Sequence, residues 1–215
     1  MAVTALPDGG LWIAAERTLV VSDLHLEKGS AFAVRGQFLP PYDTRETLAR
    51  VGKLIAALKP ARIVSLGDSF HDRAAAARLD EQDALTIRNF TSSHDWVWVE
   101  GNHDPLPPED LGGRAADEIR IGALTLRHES AGAEGEISGH LHPCARVASR
   151  SGAVRRPCFA TDGARLVMPA FGAFTGGLNV RDAAFAPVFP DGCFALVIGR
   201  GRVYPTPPER LAPDA

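Results

Sequence analysis

Cysteine is scarce in this chain: three residues in 215, Cys144, Cys158 and Cys193, none in CxxC spacing. An odd, scattered set argues against a disulfide scaffold and suits free thiols in a reducing compartment. Long hydrophobic runs are missing too. No stretch approaches the ~18 uninterrupted apolar residues of a spanning helix. Met1 to Glu16 lacks the basic start and apolar core of a signal peptide, so the expected location is cytoplasmic, with no membrane partner. There is no excess of charge of one sign. A formal net charge of −3 gives no global basic field of the kind that holds a nucleic acid. One stretch is locally basic: Arg146, Arg150, Arg155 and Arg156 fall between Ile137 and Thr161, where no Asp or Glu occurs. It reads either as a solvated hairpin edge guarded by positive charge or as a rim, led by Arg146 and Arg155, that contacts substrate phosphates.

A length of 215 residues with 45% hydrophobic and 23% charged content fits one domain, residues 1–215, with a sizeable core. Leu19-Val20-Val21, Ile63-Val64-Ser65-Leu66 and Trp96-Val97-Trp98-Val99 are short runs without polar alternation, as in strands buried on both faces. A helix is expected from about Thr44 to Leu58, with Leu48, Val51, Leu54, Ile55 and Leu58 as its apolar stripe. Asp43 or Thr44 would cap it and Pro60 would stop it. A second helix, about Leu79 to Thr91, completes a β-α-β-α-β order and hence a parallel sheet. Beyond Asp104, which reads as ordering a turn, Leu124 to His128, Glu136 to Ser138 and short runs up to Met168 suggest a meander forming a second sheet. Phe194 to Ile198 reads as the last strand, and the Pro-rich tail 205–215 as loose. Segments 27–42 and 170–180 read as ordered loops; glycines in the second permit close backbone approach.

Of the seven histidines, five fall into one series of motifs: Asp23-Leu24-His25, Gly67-Asp68, Gly101-Asn102-His103-Asp104, His128 and Gly139-His140-Leu141-His142. They supply two carboxylates, an amide oxygen and several imidazoles, a ligand set for two adjacent metals. Two metals ~3.5–4 Å apart can deprotonate a water and clamp the attacking and leaving oxygens of an in-line displacement at phosphorus. Imidazole suits Mn, Fe, Zn or Ni, and the oxygen ligands favour Mn. A structural zinc site is a poor alternative, because such sites are four-coordinate and Cys-rich. The first three motifs follow the three expected strands, where an open α/β sheet places its ligands.

In this order, these motifs resemble the calcineurin-like metallophosphoesterase superfamily. The resemblance implies an α/β fold of two packed mixed β-sheets flanked by helices, the four-layer αββα sandwich. It implies a manganese or mixed-metal pair bridged by the two carboxylate oxygens of Asp68. Asp23, His25 and His142 would hold one ion, and Asn102, His128 and His140 the other. His103 would face the substrate and protonate the leaving oxygen or stabilise charge on phosphorus. Where protein phosphatases of the superfamily carry a second Asp, this chain has His71, as its nucleases do; His71 reads as catalytic or as a hydrogen-bonding group that orients the site.

Nearly the whole chain also resembles the bacterial ligase-associated DNA damage response endonucleases, the PdeM family. That match rests on Ser22-Asp23-Leu24-His25-Leu26-Glu27-Lys28-Gly29, Gly67-Asp68-Ser69-Phe70-His71-Asp72, Ser138-Gly139-His140-Leu141-His142-Pro143 and the run from Pro169 to Gly177. It implies DNA as substrate and a setting in repair alongside a DNA ligase, a helicase and an exonuclease. The expected function is a dimetal phosphodiesterase, an endonuclease on DNA. The alternative is a small-molecule phosphoesterase, acting on nucleotides, cyclic nucleotides or phosphomonoesters with the same centre.

Overall fold

The apolar runs form the strands expected of them. In a computed structural model, which describes residues 1–103, 109–149 and 152–214, β1 (Thr4–Ala5) and β2 (Leu11–Ile13) lead into β3 (Thr18–Val21). Helices α1 (Lys28–Val34) and α2 (Asp43–Leu58) connect it to β4 (Arg62–Leu66). Helices α3 (Ala75–Arg78) and α4 (Glu81–Ser93) lead on to β5 (Asp95–Val99), and β6 (Arg114–Ala116) completes the first sheet. Strands β3 to β6 are parallel, while β1 and β2 pair antiparallel at one edge. Asp104 and Arg150 lie outside the described residues.

The second sheet contains β7 (Glu118–Ile121), β8 (Leu124–Arg127), β9 (Glu136–Ser138), β10 (Cys144–Ser149), β11 (Gly152–Thr161), β12 (Leu166–Val167), β13 (Phe194–Ile198), β14 (Val203–Thr206) and β15 (Leu211–Ala212). Its main path runs β14-β13-β11-β12-β9-β8-β7, with β10 joining β11 to β15. It is mixed rather than a meander, because β9 pairs parallel with both β8 and β12. The chain reaches these positions through loops whose crossing direction leaves no mark in the hydrophobic pattern.

Alternation of side chains builds two separate cores from one strand. In β3, Leu19 and Val21 face α2 and α4 with Ile63, Trp96 and Trp98, against Leu48, Val51 and Ile87. Val20 faces the other way, with Leu66, Val97 and Val99, against Leu126, Ile137, Phe159 and Met168 of the second sheet. The sheets are thus cemented face to face, and helices cover the first. The outer face of the second sheet is covered by the segment containing Phe185, Val188 and Phe189, which carries a short 3-10 turn, Ala183–Phe185.

Several expectations need correction. Neither Asp43 nor Thr44 caps α2. Asp43 Oδ2 accepts from the Gly29 N–H at 2.9 Å, and the Thr44 hydroxyl donates to Glu27 Oε1 at 2.8 Å. Both side chains therefore buttress the segment after β3. That segment is not purely loop: Lys28–Val34 is helical, entered through Glu27 in a left-handed conformation. Phe194–Ile198 is not the last strand, and the tail is not loose. Val203–Thr206 pairs with β13, Leu211–Ala212 pairs with β10, and Arg146 donates to the Pro213 carbonyl at 2.8 Å. Backbone pairing with distant strands outweighs the local proline content. His94, which fits no motif, closes the end of α4 by donating from Nδ1 to the Phe90 carbonyl at 3.0 Å.

Candidate metal centre

The sheet ends its parallel strands side by side, and the loops beyond them continue the pairing. Asp23 N–H donates to the Gly67 carbonyl, His25 N–H to that of Asp68, and Leu26 N–H to that of Ser69. Asp23, His25 and Asp68 therefore stand abreast just past β3 and β4. The second sheet contributes from the opposite side by the same device. His128 directly follows β8, and Gly139-His140-Leu141-His142 follows β9, its parallel neighbour. The His140 N–H donates to Asp23 Oδ2 at 3.1 Å, so the two sheets are stitched together at the site itself.

Backbone strain concentrates here. Asp23 (φ 53°), His25 (φ 43°), Asp68 (φ 45°), His140 (φ 65°) and His142 (φ 45°) all occupy the left-handed region. This is costly for residues with a Cβ and persists where the surroundings over-determine it. Gly67 (φ 74°) precedes Asp68, and a Cβ there would collide with the His128 imidazole. Gly172 is needed for a related reason: a Cβ would meet the Leu24 carbonyl.

All the candidate ligands converge in two clusters. Asp23, His25 and His142 offer atoms within 4.8 Å of one another, as do Asp68, His128 and His140. Asn102 Oδ1 joins the second cluster, 2.9 Å from His128 Nε2. Asp68 stands between the clusters. Its Oδ1 accepts the His103 N–H at 2.9 Å. Its Oδ2 lies 4.0 Å from His25 Nε2 and 3.4 Å from His128 Nε2.

The donor set fits cations. His142 Nε2 stands 3.0 Å from Asp23 Oδ1 and 3.4 Å from His25 Nε2, and His140 Nδ1 stands 3.2 Å from His128 Nε2. Donor atoms packed so closely need a proton or a cation between them. Tautomers agree with this. His128 Nδ1 donates to the Leu66 carbonyl at 3.3 Å, leaving Nε2 for the cluster. Glu129 lies 3.5 Å from His140 Nε2, an arrangement that orients a ligand imidazole.

Titration behaviour follows from the same geometry. Burial, partly opposed by Asp23, pushes His25 down to about 3, which keeps its imidazole neutral. His128 is also pulled down by burial, but its hydrogen bond to Asp68 and the charges of Asp23 and Asp68 win, raising it to about 9. Asp68 is the mirror image: burial pushes it up, yet His128 and the His103 N–H hold it at about 2.

The candidate catalytic histidines lie at the mouth. His103 is anchored by donation from Nδ1 to the His71 carbonyl at 3.0 Å, which turns Nε2 toward Asp68, 3.9 Å away. The backbone of His71, rather than its ring, orients His103. The His71 ring stacks on that of His103 at 5.7 Å, and its Nδ1 is buried without a hydrogen-bond partner. Together with His25, Lys28, Asn102, Thr175 and Gly176, these groups line a cleft of about 250 Å³. A larger concavity of about 650 Å³ beside α1 contains none of the candidate ligands and is lined by carboxylates such as Asp43 and Asp83 with Arg45 and Arg78.

Arg146 and Arg155 do not line the cleft. Arg146 faces Arg155 across the hairpin, and both are held by the tail and its neighbours, Arg155 by the Gly177 carbonyl at 2.5 Å and by Asp214 at 3.3 Å. Among the described residues, the Lys or Arg that does line it is Lys28, whose significance the sequence signalled only by its place right after the first motif. Thr175 and Glu129 were missed likewise.

A family model described as calcineurin-like phosphoesterase matches residues 16–156. The solved structure of a Pseudomonas putida nuclease, MPE, matches with a TM-score of 0.71 and 27% identity over 94% of each chain. A phosphoesterase from E. coli, Yfce, matches at 15% identity and a TM-score of 0.42, over 74% of this chain and 82% of its own. Among curated proteins none matches. With the model covering most of the sequence and the ligand clusters in place, the chain belongs to the calcineurin-like phosphoesterase family and is a metal-dependent hydrolase of phosphoric esters.

Proposed function

We propose that the protein is a dimetal phosphodiesterase that cleaves DNA internally, with a role in repair, and that manganese is its working metal. The observation that carries this reading is the likeness, over 94% of both chains, to a protein described as a nuclease. His71 at the cleft mouth, where the phosphatase-type motif would have an Asp, supports the same choice.

Asp23, His25 and His142 would hold one divalent ion, Asn102, His128 and His140 the other, and Asp68 would belong to both. Bound ions would supply the charge that activates water and neutralises the phosphate. The chain's own groups do the rest. His103, fixed through Nδ1, presents Nε2 to the cleft, where in its protonated form it donates to the departing oxygen. Lys28 adds positive charge beside the phosphate without being a ligand. His71 keeps water from the flank of His103 by stacking on it.

The test is hydrolysis by the manganese-loaded protein of DNA, nucleotides and a phosphomonoester side by side, with Asp68→Asn as control. Faster cleavage of DNA than of nucleotides or monoester supports the reading. Intact DNA with hydrolysed nucleotides would replace it by a small-molecule phosphoesterase.

A further inference from the structure

Large apolar side chains left in solvent next to a site ask for a partner. Phe174 is 45% exposed and Tyr42 is 54% exposed. Their rings meet edge to face with centroids 5.9 Å apart. Phe174 adopts φ 58°, a costly conformation for a residue of this bulk. Its loop is pinned to the floor of the site: Phe171 N–H donates to the Ser22 carbonyl, Gly172 N–H to that of Asp23, and Ala173 N–H to the Thr47 hydroxyl at 3.0 Å. The phenyl ring is thus held outward by a rigid mount.

The next residues along the chain, Thr175 and Gly176, form part of the cleft wall. Thr175 Oγ1 is buried there without a hydrogen-bond partner. Lys28 is on the same lining and is its single Lys or Arg among the described residues. Phe174 directly precedes this wall along the chain, Tyr42 braces it from the edge of the neighbouring concavity, and the hydroxyl and the ammonium share the cleft lining with the candidate ligands. A nucleotide has the matching sequence of parts: a flat base, a sugar, and a phosphate diester. Base stacking on aromatic side chains tolerates any base, because every base has a π-face.

We infer that Phe174, braced by Tyr42, is a base-stacking subsite for the nucleotide attached to the scissile phosphate, with Thr175 and Lys28 holding that phosphate's oxygens. The inference rests on the diesterase reading above and names the group that reading leaves open. It makes the nucleobase part of what is recognised, not a passenger.

Two substrates with one leaving group test it: thymidine 5′-(p-nitrophenyl phosphate), which carries a base, and ethyl p-nitrophenyl phosphate, which does not. The manganese-loaded protein should prefer the thymidine ester by about tenfold in kcat/KM, chiefly through KM, the size expected of one stacked base. Phe174→Ala should bring the ratio of the two substrates close to one, Tyr42→Ala should lower it partly, and Phe174→Trp should keep it, which shows that stacking and not folding was lost. An unchanged ratio in Phe174→Ala, or equal rates on both esters in the parent protein, overturns the subsite and leaves the diesterase reading standing. If neither ester is cleaved while p-nitrophenyl phosphate is, the diesterase reading fails and takes the subsite with it.

Discussion

The floor and the rim of the cleft are built on opposite terms. The floor is buried and strained. Asp23 has no exposure, His25 4% and His128 5%, and its backbone turns repeatedly through the left-handed region. The rim is more open and varied: His103, Lys28 and Thr175, with Phe174 next to Thr175 along the chain and the Tyr42 ring against Phe174. Floor residues must match the demands of ions, which accept few donor types in few geometries. Rim residues need only suit a substrate, which can be met in many ways. Metal binding therefore resides in the floor, and contact with the substrate, including the proton that His103 would donate, in the rim. The basic hairpin of Arg146 and Arg155 belongs to neither, since the tail occupies it.

The largest effect should come from the centre of the floor. Asp68→Asn removes the charge that faces both clusters, and turnover should fall by more than the ~10² that loss of a supporting partner costs, as measured by DNA cleavage at saturating manganese. Residual activity near the parent level would break the contrast at its strongest point. Next comes His103→Ala, with an expected loss of about 10² to 10⁴ in kcat. Metal content by atomic emission should be unaltered, and the loss should shrink for a p-nitrophenyl ester, whose leaving group needs no proton. An equal loss for both ester types would move His103 from the rim into the floor.

A pH effect separates the two regions further. In the metal-free protein His128 binds a proton up to about pH 9, so an ion must displace it. Manganese affinity should rise roughly tenfold per pH unit over the approach to pH 9 and then level off, since ligands bind deprotonated; calorimetric titrations in buffers of different ionisation enthalpy would count the proton released. The same raised value stabilises the metal-free fold fully below the ordinary histidine value of 6.5, and that contribution is lost as pH rises through 9. The smallest effect belongs to the hairpin. Arg146→Ala should leave DNA affinity in a filter-binding assay within about 0.5 kcal/mol of the parent, as for a surface change away from the site. A larger drop would restore the hairpin as a phosphate rim.

This division also explains what could be read from the sequence. The floor was legible because ions leave fixed residue types next to strand ends, and β3, β4 and β5 announce themselves by Val, Ile, Leu and Trp runs. The hydrogen bond from the His103 N–H to Asp68 Oδ1 was not legible, because no residue pattern reports where a backbone N–H points. Helix α1 went unread because seven residues containing Gly29 and Ser30 make no apolar stripe. The final strands were hidden by Pro205, Pro207 and Pro208 and by partners far away in the chain. Thr175 and Lys28 come to line one cleft only after the sheets have packed, so no local pattern could have joined them.

The central claim is that two ions, held by two clusters that share Asp68, carry out the hydrolysis. Titrating the metal-free protein with manganese while following DNA cleavage tests it most directly. The rate should stay low through the first equivalent and plateau at two per chain. Full activity at one equivalent, or activity without added or bound metal, would contradict it.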